Sequence, residues 1–160
     1  MGREYVIAWA GRHKRPAWDE ICGRYRKRIA RLTPVRELPV KVRGTGKGGG
    51  GDEERRRAEG EALLAALPEP VWLVALDPAG DALSSPAFAA ELARLRRDWP
   101  HAVGFALGSD VGLDPAVLAA ARRVLSFGPL TLSHELARVV LYEQLYRAAS
   151  IHAGTGYHRG

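Results

Sequence analysis

Tyr157, His158 and Arg159 stand in a row at the end of the 160-residue chain, where sequences usually trail off in small or charged filler. They read either as functional side chains or as a disordered tail. The histidines at 13, 101, 134, 152 and 158 show no zinc-ligand spacing, and the single Cys22 cannot close an internal disulfide, so no structural metal is expected. Cys22, placed mid-helix among arginines, reads as a half-buried small residue rather than a nucleophile. No G-x-S-x-G elbow follows a strand, and Ser109 in LGSDVG lacks the flanking glycine pattern, which excludes serine hydrolase chemistry. In GTGKGGGG at 44–51, Lys41 occupies the first glycine position of a phosphate loop and Gly48 replaces its Ser/Thr, which excludes a P-loop nucleotide triphosphatase. That run reads as a linker or as a mobile flap over a ligand. GSDVG at 108–112 permits close backbone approach to a ligand or is a plain tight turn; it is not G-x-G-x-x-G, so a dinucleotide fingerprint is missing.

Apolar runs and breakers supply the elements that must carry these residues. YVIAWAG is a short buried strand, and Pro16-Ala17-Trp18 opens a helix to about Leu32 that carries Arg24, Arg26, Lys27, Arg28 and Arg31. VRELPVKV is a second strand, placed at an edge or bulge by Pro39, which has no N–H for a ladder. Asp52 is an N-cap candidate for a helix ending near Leu67. VWLVALD, with no polar alternation, is a strand buried on both faces, and DPAGDALSSP is the turn after it. Ser85-Pro86 starts a helix to about Asp98, HAVGFALG is the fourth strand, and Asp114-Pro115 starts a helix to about Arg123. VLSFG is the fifth strand, and Ser133 caps the last helix, with Glu135 in its first turn. Five βα units predict one α/β domain over 1–160, with a mostly parallel sheet and helices on both faces. Ligands of such sheets bind at the strands' carboxyl ends, where LDPAG, LGSDVG and SFGPLTLSH converge if strands three to five are neighbours.

Apolar residues spread around most of the last helix, from Leu136 to Ile151, which implies burial by a second subunit or a central place within one chain. Charge is uneven: residues 1–57 hold 16 Lys/Arg against 7 Asp/Glu, and 58–160 hold 8 against 11. The asymmetry fits a polyanion met by the N-terminal half, or simply a solvated basic surface. No apolar run reaches the length of a membrane span, and the N-terminal run is too short for a secretory signal, so the cytoplasm is the expected location.

VALDPAG, FALGSDVGLD and LSFGPLTLSHELARVVLYEQLYRAASI, followed by YHR, together resemble the RlmH family of SPOUT-class methyltransferases over nearly the whole chain. The segment from Leu125 to Arg159 is the most specific part, with Arg138, Glu143, Gln144, Tyr146, Arg147 and Ala148 all in the family's order. The resemblance implies a SPOUT fold with a C-terminal trefoil knot, a homodimer, and S-adenosylmethionine as cofactor. It implies methylation of N3 of a pseudouridine in large-subunit (23S) ribosomal RNA, on the assembled ribosome. Carried over by position, Leu76, Gly108, Phe127, Gly128, Pro129, Leu130, Thr131 and Leu132 line the cofactor pocket. GSDVG departs from the family's G-G-P-E-G, which puts Ser109 to Val111 in question, and Gly156 replaces a proline before Tyr-His-Arg, which loosens the tail.

Methylating an imide nitrogen requires loss of its proton, so the resemblance points to a base or a cation among Tyr157, His158, Arg159 and His134, with the tail offered by either subunit. Tyr157 would stack on the base and Arg159 hold phosphate or developing negative charge, whereas His134 reads equally as a residue of the helix start. Arg12, Lys14, Arg15, Arg24, Arg26, Lys27, Arg28 and Arg31 are the expected phosphate contacts. The rival readings are a SPOUT methyltransferase of another RNA such as transfer RNA, an inactive RNA- or ribosome-binding relic, and a flavodoxin-like nucleotide binder.

Overall fold

The chain is described by a computed structural model covering residues 3–11, 16–42 and 51–160. Arg12, Lys14, Arg15 and all of the glycine-rich run except Gly51 lie outside the described residues. Five βα units follow in order: β1 (Tyr5–Ala10), α1 (Pro16–Ala30), β2 (Val35–Val40), α2 (Asp52–Ala66), β3 (Val71–Ala82), α3 (Ser85–Asp98), β4 (Ala102–Leu107), α4 (Pro115–Ala120), β5 (Arg123–Ser126) and α5 (His134–Ala153).

The strands form one all-parallel sheet in the order β2-β1-β4-β3-β5, so strands three to five are neighbours. Every residue of β1 and β4 is buried, as a sheet covered on both faces demands. Along β1, Tyr5, Ile7 and Trp9 point into a core with α1, α3 and α5, while Val6, Ala8 and Ala10 point into a second core with α2 and α4. Pro39 sits on the edge strand β2, as its missing donor requires.

Local chemistry sets the boundaries. Ser84, Asp114 and Ser133 cap α3, α4 and α5 by accepting from the amides of Ala87, Ala116 and Leu136. At α2 the cap is Gly51, and Asp52 is instead the first helical residue, where its charge meets the helix dipole. α4 ends at Ala120 because the Arg122 amide already bonds Leu73 O, 2.8 Å away, and Arg123 opens β5.

β3 differs most from its sequence pattern. Its pairing with β5 jumps from Leu76 to Asp81, leaving 77–80 out of the ladder, and then resumes through Ala82. Asp77 Oδ1 accepts from the Ala79 amide at 2.9 Å and turns the chain outward. Gly80 lets it return: a Cβ there would lie 2.6 Å from the Val124 backbone.

α5 is the middle helix of its layer, packed on both α1 and α3. Leu141, Tyr142, Leu145, Ala148 and Ala149 are buried within one chain, whereas Leu136 at its start is 38 % exposed. Among the described residues no helix is long and apolar enough to cross a membrane, and no three His, Cys, Asp or Glu side chains group as metal ligands.

Candidate functional site

The carboxyl ends of β3, β4 and β5 enclose a cavity of about 550 Å³ with the first turn of α5 as a wall. Of the residues expected at a cofactor, Leu76, Gly108, Phe127, Gly128, Leu130, Thr131 and Leu132 line it; Pro129 does not. Asp77, Pro78, Ser126 and Ser133, all in the loops expected to converge at this edge, line it too, as do Glu135 and Ala137, although none of the six was expected as a cofactor contact. Ser126 stood in plain view in LSFG, whereas Asp77 and Pro78 reach the cavity only through the excursion in β3.

The segment 129–132 makes no backbone–backbone hydrogen bond among the described residues. The amides and carbonyls of Leu130, Thr131 and Leu132 are therefore left unpaired in residues that line the cavity, a state a folded chain keeps only where water or a ligand satisfies them. Just before them Gly128 adopts φ +109, a conformation that disfavours a side chain.

The opposite wall is the loop 108–112. Gly108 is demanded by closure of this loop rather than by a ligand, because a Cβ would sit 2.5 Å from the Gly112 backbone. The Gly112 amide bonds Ser109 O at 3.0 Å, and Ser109 Oγ donates to the buried carboxylate of Glu59 at 2.7 and 2.8 Å. Arg55 pairs with Asp110, and Arg56 Nε donates to Val111 O at 2.8 Å. Helix α2 thus holds the loop from behind through Arg55, Arg56 and Glu59, residues that sequence pattern did not single out.

His134 opens α5 at the cavity and is not the cap, a role Ser133 fills. Its Nε2 is buried without a hydrogen bond, 3.5 Å from the Glu135 carboxylate. The ring packs on Gly11 at the end of β1, where a Cβ would approach it to 3.0 Å. One turn further, Arg138 is 5 % exposed, bonds Glu37 at 2.7 Å and Asp19 at 2.8 Å, and lies 4.1 Å over Trp9. That network locks the start of α5 to α1 and β2.

The tail lies elsewhere. Tyr157 stacks edge-on to Tyr146 with 4.6 Å between centroids and donates to Glu143 at 3.3 Å. His158 Nδ1 accepts from Arg147 at 3.1 Å, and Arg147 is clamped by Glu143 at 2.6 Å. Arg159 is exposed. Partial burial, then the Glu143 carboxylate, holds the Tyr157 hydroxyl above the usual phenol range, so it is a neutral donor at neutral pH. Arg147 follows His134 by 13 positions on α5, which separates the tail cluster from the cavity by about 20 Å in one chain.

Of the basic residues expected at phosphates, Arg24, Lys27 and Arg28 are exposed along one face of α1, and Arg31 is exposed in the turn just after it. Arg28 lies 5.7 Å over Tyr146, so this stripe continues into the tail cluster. Arg26 turns inward and bonds Glu37 at 3.0 Å.

A family model described as "Predicted SPOUT methyltransferase" matches residues 4–158. The chain is 45 % identical over 149 residues to the ribosomal RNA large subunit methyltransferase H of Solidesulfovibrio magneticus, covering 92 % of this chain and 94 % of that one. The protein of the same name from Caulobacter vibrioides is 46 % identical over 132 residues, covering 82 % and 79 %. That of Xanthobacter autotrophicus is 40 % identical over 156 residues, covering 96 % and 98 %.

Proposed function

The chain belongs to the SPOUT methyltransferase family, and from that membership we propose that it transfers a methyl group from S-adenosylmethionine to large-subunit ribosomal RNA. More finely, the target is N3 of a pseudouridine, presented by the assembled ribosome in the cytoplasm. The observation that carries the reading is the cavity at the strand ends with the unpaired backbone of 129–132 along it.

These residues fit the cofactor. A cavity of about 550 Å³ is ample for a nucleoside-sized ligand. Leu76, Phe127 and Leu132 offer apolar surface for a purine, the amides and carbonyls of 129–132 its edge partners, and Asp77 and Glu135 acceptors for hydroxyl or ammonium groups. When bound, S-adenosylmethionine supplies a methyl group on an electrophilic sulfonium.

The protein's work is to orient the base, exclude water and take the N3 proton. Tyr157 stacks on the base, Arg159 holds phosphate or the developing negative oxygen, and His158 is the base. Because Arg147 donates to Nδ1, the neutral His158 ring carries its proton on Nε2; Nδ1 must receive the substrate's proton, and Arg147 must yield it. His134, a cavity-lining residue whose buried Nε2 makes no hydrogen bond, is the other candidate.

Since one chain holds cavity and tail about 20 Å apart, the reading makes the active molecule a homodimer in which one protomer's tail serves its partner's cavity. Leu130, 79 % exposed, and Leu136, 38 % exposed, offer the apolar surface beside the cavity that a second copy would cover. The chain passes from edge strand β5 through 127–133 back to the central helix α5, a path compatible with the family's trefoil knot within one domain over 1–160.

Calorimetric titration with S-adenosylmethionine followed by methylation of ribosomes tests the proposal. Saturable binding is expected, lost by more than about tenfold in Thr131→Arg, whose exposed site at the cavity tolerates the side chain. Ribosome methylation at the wild-type rate after joint His158→Ala and Arg159→Ala replacement would overturn the assigned catalytic roles. Methylation of free transfer RNA in place of ribosomes would overturn the assigned substrate.

A further inference from the structure

Glu59 sits in the interior of α2, is 7 % exposed, and is followed by Gly60. Both residue types are costly at such a position. A glycine inside a helix gives up about 1 kcal/mol against alanine, and a buried carboxylate must recover its lost hydration from partners. Their adjacency has one geometric explanation. A Cβ on Gly60 would lie 2.8 Å from the Cβ of Asp114, so only glycine lets α2 approach the loop that ends there. That approach brings the Glu59 carboxylate beneath Ser109, itself 8 % exposed.

The contact is directional. Ser109 Oγ has one proton, which it gives to the carboxylate at 2.7 and 2.8 Å, and its lone pair faces the Val111 amide at 3.4 Å. Arg55 Nε, 3.7 Å from the same carboxylate, balances its charge while its guanidinium also pairs with Asp110. A chain of amide, hydroxyl and carboxylate therefore runs from the loop into α2. Gly108, Ser109, Asp110 and Gly112, which this chain orders, are cavity wall.

We infer that Glu59 is a positioning residue for cofactor binding: through Ser109 it holds the 108–112 loop in the shape that receives S-adenosylmethionine. The inference rests on the cavity being the cofactor site. It also accounts for serine in GSDVG, since the hydroxyl is the loop's handle for α2.

Titration calorimetry with S-adenosylmethionine on wild type, Glu59→Gln, Glu59→Ala, Ser109→Ala and the Glu59→Ala/Ser109→Ala pair tests it, with thermal melting of each protein alongside. Glu59→Ala and Ser109→Ala each weaken binding by about tenfold, and the pair no more than the worse single change, because both remove one bond. Glu59→Gln stays within about threefold of wild type, as its amide oxygen still accepts the hydroxyl. A merely structural Glu59 would lower the melting temperature and leave the folded protein's affinity untouched, and wild-type affinity in Glu59→Ala overturns the inference. Should that variant fail to fold, wild-type affinity in Ser109→Ala overturns it equally. Absence of binding by the wild-type protein sinks the cofactor reading and this inference with it, whereas wild-type binding with indifferent variants sinks the inference alone.

Discussion

Cys22 lies on the inward face of α1, fully buried, and burial pushes its thiol up to about 11. Because the protonated thiol is fully buried, a disulfide reagent should label the native protein only as fast as it opens. Stoichiometric labelling within minutes under native conditions would contradict this placement. A thiol whose pKa is raised by folding contributes stability fully below pH 9.0 and loses it as pH rises toward about 11, a window to be read in alkaline melting curves. At this scale the sequence told part of the story. Cys22 was recognisable as a packed residue from its place mid-helix, whereas His134 was drawn to the cavity by family resemblance, its helix position alone indicating only the start of α5. Arg26 was not recognisable as an internal ion-pair partner, because Glu37 reaches it from another element across 11 positions. Nor does Gly108 reveal in sequence that it serves the closure of its own loop.

The elements were legible where a local signal exists. Pro39 announced an edge strand, and Ser133 with Glu135 announced the start of α5, because caps and missing donors act within a few residues. The turn at 77–80 was legible, but the return of β3 to the ladder at Asp81 and Ala82 was not, since the passage through Gly80 depends on the backbone of a strand more than 40 positions later. Gly60 shows the same principle as a sign reversal. Replacing a helix-interior glycine by alanine ordinarily stabilises by up to about 1 kcal/mol. Here the added methyl meets Asp114 at 2.8 Å, so Gly60→Ala is expected to lower the chemical-denaturation stability by about 1–2 kcal/mol. A gain in stability would mean that α2 and the loop before α4 are less closely packed than described.

For the molecule as a whole, charge and topology act together. The exposed stripe of Arg24, Lys27, Arg28 and Arg31 adjoins the tail cluster at Tyr146, which places the positive surface beside the residues assigned to the base. Removing Lys27 and Arg31 should weaken RNA binding across all sequences and flatten the plot of log affinity against log salt by about 0.7–0.9 per lost phosphate contact. An unchanged slope would place the RNA elsewhere. The unpaired backbone of 129–132 has a consequence of its own, in the currency of time rather than affinity. Its three amides have no hydrogen-bonded state to open from, so in the free protein they should trade protons for deuterons near the rate of an unstructured peptide. A ligand seated along that edge would slow those three positions selectively, while the already protected amides of β1 and β4 keep their pace. The segment would then act as a built-in clock for occupancy, legible by mass spectrometry with no label on protein or ligand.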